Sequence, residues 1–192
     1  MGDNVILVGF MGAGKSSVGR LLARRLGRCF VETDDMITAR EGRSIPEIFA
    51  ERGEAHFRAL EEETVRLLAL KSGDVIATGG GLPCRDGRPD RLRAIGTVVW
   101  LRGEFDAVYE RAQRAGARPM LAGRKREEIE ALYRAREPYY RQADVTVDTT
   151  GINPDQVVAK LVPLLRDRLS TLSPPEKPPT LSSLGRGWGE GK

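Results

Sequence analysis

Residues 4–17 read Asn4-Val5-Ile6-Leu7-Val8-Gly9-Phe10-Met11-Gly12-Ala13-Gly14-Lys15-Ser16-Ser17. The first five, rich in Val, Ile and Leu without polar alternation, predict a strand covered on both faces and therefore part of a parallel sheet. Gly9 to Ser16 fit G-x-x-x-x-G-K-[ST], and the apolar spacing of Val18, Leu21, Leu22 and Leu26 predicts a helix that starts near Lys15. A glycine-rich turn ahead of a helix is the plainer reading of such a stretch. Strand, loop and helix in this order are nevertheless what a phosphate-binding loop requires. Backbone amides of Gly12, Ala13, Gly14, Lys15, Ser16 and Ser17 can surround a phosphate at the positive end of the helix. Lys15 can reach the β and γ phosphates, and the Ser16 hydroxyl can hold Mg²⁺.

Further along, 29–33, 74–78, 97–101 and 144–147 are strand-length runs rich in Val and Ile, and helical patterns lie between them. Phe57, Leu60, Thr64, Leu67 and Leu68 form a second apolar stripe. Asn153-Pro154-Asp155-Gln156 places an N-cap, a first-turn proline and a capping Gln at the start of a last helix, which Pro163 is expected to bend. This alternation predicts an α/β domain over 1–169. It is a doubly wound parallel five-stranded sheet flanked by helices, of P-loop NTPase type, with ligands at the carboxyl ends of the strands. Residues 170–192 hold four prolines, four glycines and four serines with little aliphatic spacing, so they are expected to be a disordered tail in which Trp188 carries no assigned role.

The 192 residues carry 31 Lys and Arg against 27 Asp and Glu, a net charge of +4 spread along the chain, so no nucleic-acid arm is expected. No apolar run approaches the roughly 18 residues of a membrane span. Asp3 and Asn4 stand where a signal peptide would carry basic residues, and two cysteines make no disulfide framework, so a cytoplasmic protein is expected. Cys29 and Cys84 are both read as small, partly buried hydrophobes. The only asparagines are Asn4 and Asn153, neither followed by Lys, which excludes the N-K-x-D motif of a GTPase. No L-S-G-G-Q segment of a transporter ATPase is present. A small-molecule or nucleotide kinase remains.

On the acceptor side the chain reads Arg58-x-x-Glu61, then Val75-Ile76-Ala77-Thr78-Gly79-Gly80-Gly81, with Thr33-Asp34, Gly42-Arg43-Ser44-Ile45, Ile48-Phe49, Arg118-Pro119-Met120-Leu121 and Arg136-x-Pro138-x-Tyr140. Each has a plain reading: Arg58 and Glu61 as an ordinary helix-surface pair, Asp34 or Asp35 as a helix cap, and 114–126 as a solvated basic loop. Three glycines after a buried strand are harder to dismiss, because a turn needs only one and each costs backbone entropy. In order and spacing these residues resemble the shikimate kinase family over nearly all of 5–165.

That resemblance implies ATP-dependent phosphorylation of the 3-hydroxyl of shikimate on the route to chorismate and the aromatic amino acids. It implies a site in which Arg58 and Arg136 grip the substrate carboxylate and Gly79, Gly80 and Gly81 line the pocket. Asp34 would face the acceptor hydroxyls as general base or orienting group. A mobile lid over about 112–126 would close on ATP and bring Arg118 to the transferring phosphoryl group, with Lys15 as the other catalytic cation. Arg111, Asn153 and Pro154 would flank adenine. Glu32 stands where the family carries Asp beside Ser16 at the Mg²⁺ shell, and His56 has no catalytic part. A monomer acting on a free small molecule is expected. Gluconate kinase shares the loop and the lid, but the glycine triplet and the paired arginines favour a cyclic carboxylate. A nucleotide binder without catalysis would have no use for Asp34 and Arg118.

Overall fold

The computed structural model describes residues 3–114 and 123–169. Five parallel strands build one sheet: β1 (Asn4–Val8), β2 (Phe30–Glu32), β3 (Val75–Ala77), β4 (Gly96–Arg102) and β5 (Val145–Asp148), in the order β2-β3-β1-β4-β5. Helices α1 (Lys15–Leu26), α2 (Thr33–Glu41), α3 (Ile45–Leu68), α4 (Arg88–Ile95), α5 (Phe105–Arg114), α6 (Arg126–Tyr140) and α7 (Pro154–Leu169) join and cover the strands. β1 is central, and Val5, Ile6, Leu7 and Val8 are at most 1% exposed, as a continuous apolar run requires.

Strand register decides where the functional loops meet. Leu7 pairs with Ala77, and Ala77 with Glu32. Three chain segments therefore leave the sheet at one level: the glycine-rich loop after β1, the glycine triplet after β3, and the turn into α2 after β2. Strand order reverses between β1 and β4, so this end of the sheet is the crevice in which doubly wound proteins bind ligands.

Several sequence expectations need adjustment. Expected strand 29–33 shortens to Phe30–Glu32, because Thr33 already opens α2, and its three residues are only half-buried at the sheet edge. β5 alternates buried Val145 and Val147 with exposed Thr146 and Asp148, so one of its faces meets solvent. Cys29 is exposed rather than partly buried, while Cys84 is half-buried. Leu67 leaves the apolar stripe of α3 and is 42% exposed, whereas Phe57, Leu60, Val65 and Leu68 pack inward. The last helix begins at Pro154 behind an Asn153–Gln156 box, with Asn153 N–H donating to Gln156 Oε1 and Gln156 N–H to Asn153 Oδ1, both at 2.9 Å. It runs through Pro163 to Leu169 as one assigned helix. The expected lid falls mostly on 115–122, outside the described residues, as do Arg118 and the tail 170–192 with Trp188.

Two apolar clusters hold the chain. The larger joins the sheet to α1, α3, α4, α5, α6 and α7. The smaller, Ile37, Ile48, Phe57 and Leu60 with Ile45 and Phe49 against it, fastens α2 to α3 and thereby sets Asp34 relative to Arg58. Helix α3 changes direction at Gly53, whose φ of 76° is a conformation that few other residues adopt. Among the described residues no helix is long and apolar enough to cross a membrane.

Candidate active site

The loop after β1 is shaped by close backbone approach. A methyl on Gly12 would lie 2.0 Å from the Val108 carbonyl oxygen and 3.0 Å from the Ala112 amide, so only glycine lets this loop seat against α5. Gly14, at φ 90°, is the N-cap of α1, whose first turn contains no acidic residue to neutralise its positive end. Lys15 folds back over the loop and donates from Nζ to the carbonyls of Gly9 (2.8 Å) and Phe10 (3.0 Å).

Beside it, Ser16 Oγ donates to Glu32 Oε1 at 2.5 Å, and Arg20 Nη2 holds Glu32 Oε2 at 3.3 Å while its guanidinium lies 4.8 Å from the centre of the Phe30 ring. Ser16 and Glu32, predicted as the metal pair, are thus brought together. Arg20 was not singled out in the sequence; it lies one helical turn after Ser16, and that i, i+4 spacing is the signal that could have found it. Among the described residues no group of three His, Cys, Asp or Glu side chains converges. Two neighbouring hard oxygen donors suit Mg²⁺, which keeps several waters and takes further oxygens from substrate phosphates.

On the acceptor side, Asp34 lies in the first turn of α2 and does not extend β2. Its carboxylate comes to the glycine triplet instead: a methyl on Gly79 would stand 2.5 Å from Asp34 Oδ1. Thr33, fully buried, accepts the Gly79 N–H at 2.8 Å and fixes that approach. Burial raises the Asp34 carboxyl above its ordinary range; the charge of Lys15 opposes this, while Glu32, Glu61 and Asp35 add to it. Burial dominates, and the group becomes a better proton acceptor than a free aspartate.

The two predicted arginines meet at the other end of the triplet. A methyl on Gly81 would lie 3.2 Å from Arg136 Nη2 and 3.3 Å from Arg58 Nη1. Arg58 is anchored from below by Glu61, which is 2% exposed and accepts Nη1 at 2.8 Å, and from the side by Glu54 at 2.8 Å. Arg136 is 9% exposed, lies 5.8 Å from the centre of the Phe10 ring, and forms no ion pair among the described residues. A nearly buried guanidinium without a protein carboxylate beside it is suited to an anionic ligand. Gly80 closes the gap to the phosphate loop: a methyl there would be 3.4 Å from Arg136 Nη1 and 3.6 Å from both the Gly9 carbonyl and the Met11 amide.

Arg111 forms a separate corner. Its Nε donates to the Ala107 carbonyl at 3.1 Å and its Nη2 to Thr149 Oγ1 at 3.4 Å, and burial lowers its pKa. Thr149 directly follows β5, four residues before Asn153, and Arg111 lies on α5, the helix whose Val108 and Ala112 back Gly12 of the phosphate loop. His56 lies 3.3 Å from Glu41, between Nε2 and Oε2, its one hydrogen-bond partner among the described residues.

The family model described as shikimate kinase matches residues 11–166. A shikimate kinase of Moorella thermoacetica is 43% identical over 173 residues, covering 90% of this chain and all of the relative. A shikimate kinase of Thermodesulfovibrio yellowstonii is 42% identical over 160 residues, covering 83% and 92%. The solved structure of an Acinetobacter baumannii shikimate kinase in complex with shikimate superposes with a TM-score of 0.81 at 34% identity, over 86% of this chain and 94% of that one.

Proposed function

The chain belongs to the shikimate kinase family, whose members use ATP, and we propose that it transfers the γ-phosphoryl group of ATP to the 3-hydroxyl of shikimate. The bond from O3 to the γ phosphorus forms, the bond from that phosphorus to the β–γ bridging oxygen breaks, and shikimate 3-phosphate and ADP leave. The observation that carries the reading is the glycine triplet. Within three residues it touches the acceptor carboxylate, the phosphate loop and two guanidiniums.

Each group then has a task. Amides of Gly12, Ala13, Gly14, Lys15, Ser16 and Ser17 hold the phosphates, and Lys15 leaves the Gly9 and Phe10 carbonyls to pair with the β and γ oxygens. Arg111, Asn153 and Pro154 flank the base. Arg58 and Arg136 take the shikimate carboxylate, with the forked geometry that guanidinium offers and ammonium lacks. Asp34 orients the 3-hydroxyl and accepts its proton as the new bond forms. Arg118, outside the described residues, completes the charge around the phosphoryl group from the lid, in a reaction catalysed mainly by positioning and electrostatics. Ser16 and Glu32 would hold Mg²⁺, which when bound neutralises charge on the β and γ phosphates. We further propose a monomer that acts in the cytoplasm on a free small molecule, without nucleic-acid or membrane partners. ADP release measured with shikimate, with gluconate and with no acceptor tests the reading. Turnover with shikimate alone is expected, and equal rates in all three would defeat it.

A further inference from the structure

Tyr140 is the last residue of α6, one turn beyond Arg136, and it is 1% exposed. Its hydroxyl reaches the glycine triplet, 60 residues away in sequence, and donates to the Gly80 carbonyl at 2.6 Å. Among the described residues the same carbonyl has one other donor, the Cys84 thiol at 3.5 Å, a weak one. Burial raises the Tyr140 phenol well above its usual range, so the group is a permanent donor.

The Gly80 carbonyl and the Gly81 N–H belong to one planar trans peptide and point in opposite directions. Holding the carbonyl toward Tyr140 therefore turns the Gly81 N–H the other way. Neither the Gly80 nor the Gly81 N–H donates to another described residue. Gly81 lies between the guanidiniums of Arg58 and Arg136, and Arg136 is on the helix that carries Tyr140. We propose that Tyr140 is a positioning residue for acceptor binding: its hydrogen bond sets the Gly80–Gly81 peptide and fixes the distance from the glycine triplet to Arg136, so that the anion site is assembled before shikimate arrives. This rests on the functional reading above. A site ordered in advance spends less of its binding energy on ordering the loop, so the effect falls on acceptor affinity rather than on the phosphoryl-transfer step.

Tyr140→Phe removes the one oxygen and keeps the ring that packs near Trp100. Losing the hydroxyl's bond to Gly80, together with its contacts to the Arg136 guanidinium and the Cys84 thiol, should raise the shikimate KM by about three- to tenfold, with kcat and the ATP KM unchanged within about twofold. Amide exchange gives a second readout without turnover. Leu82 N–H donates to the Gly79 carbonyl and Cys84 N–H to the Gly81 carbonyl, each at 3.1 Å, and both amides should exchange faster in the variant. In the free wild-type enzyme they should already be as protected as in the shikimate complex, a test that survives if the variant fails to fold. An unchanged shikimate KM, even with a lower melting temperature, overturns the proposal, as does protection that appears only when shikimate binds. A wild-type enzyme inert toward shikimate overturns the functional reading instead, and amide exchange of the free enzyme and of the variant still decides whether Tyr140 orders the loop.

Discussion

Alanine substitutions along the glycine triplet should have unequal effects, and the inequality follows from what each added methyl meets. At Gly79 the Cβ would be 2.5 Å from Asp34 Oδ1, 3.3 Å from its Cγ and 3.5 Å from Oδ2. Comfortable contact begins near 3.5 Å, so the nearer oxygen must retreat by about 1 Å. Gly79 is not in the left-handed region, so the cost is steric rather than a matter of backbone strain. Overpacking of this kind costs about 1–3 kcal/mol, a fall in melting temperature of about 2–10 °C in a domain of this size. The larger effect is kinetic, because a displacement of about 1 Å in a positioned group can lower rate by about 10²-fold. At Gly81 the neighbours, 3.2 and 3.3 Å away, are the mobile ends of two guanidiniums, so the variant should lose shikimate affinity and keep most of its kcat. At Gly80 the contacts of 3.4 and 3.6 Å are ordinary, and alanine there should be mildest of the three. Coupled ADP-release kinetics across a shikimate series, with thermal melts of the same samples, would check the order 79, then 81, then 80. A folded Gly79→Ala enzyme with wild-type kcat/KM, or a series in which Gly80→Ala is worst, would refute the reasoning.

Asp34→Asn should lower turnover by about 10²-fold while shikimate still binds in calorimetry. It should also melt higher at neutral pH: burial raises the folded carboxyl above 3.8, the folded state binds more protons in that window, and stability falls as pH rises through it, so removing the charge is stabilising above the window and the gain vanishes below 3.8. A variant that melts lower than wild type at pH 7 would mean the carboxylate is stabilised by contacts other than those described. Glu32→Ala should raise the Mg²⁺ concentration for half-maximal activity and leave the shikimate KM unchanged; superimposable Mg²⁺ titrations would remove Glu32 from the metal site. Arg136→Lys keeps the charge but loses the fork, and losing one charge-assisted hydrogen bond, about 1.5–3 kcal/mol, should weaken shikimate binding about tenfold or more without altering ATP affinity. Equal losses for both ligands would show that Arg136 serves the nucleotide.

How legible the site was in the sequence depended on how far apart its parts lie. The phosphate loop could be read because strand, glycines, Lys15 and helix are contiguous, and local rules governed the outcome. The turn after β2 could not: a helix cap is expected at Asp34 or Asp35, whereas α2 already opens at Thr33, whose hydroxyl accepts the Gly79 N–H from 46 residues away. Likewise, 29–33 and 144–147 could be read as strands of the sheet, but their place at its two edges is a property of topology rather than of local pattern. The glycine triplet is the most instructive case. From the sequence, three glycines said only that something must approach the main chain. The structure gives each a separate neighbour: Gly79 the carboxylate of α2, Gly80 the loop after β1, and Gly81 the guanidiniums of α3 and α6. Four elements converge on three consecutive residues because the sheet register delivers β1, β2 and β3 to one level. No pairwise spacing along the chain encodes that meeting, and the Tyr140 contact is part of it. A tyrosine at a helix end acquires a positioning task only because α6 ends over the triplet.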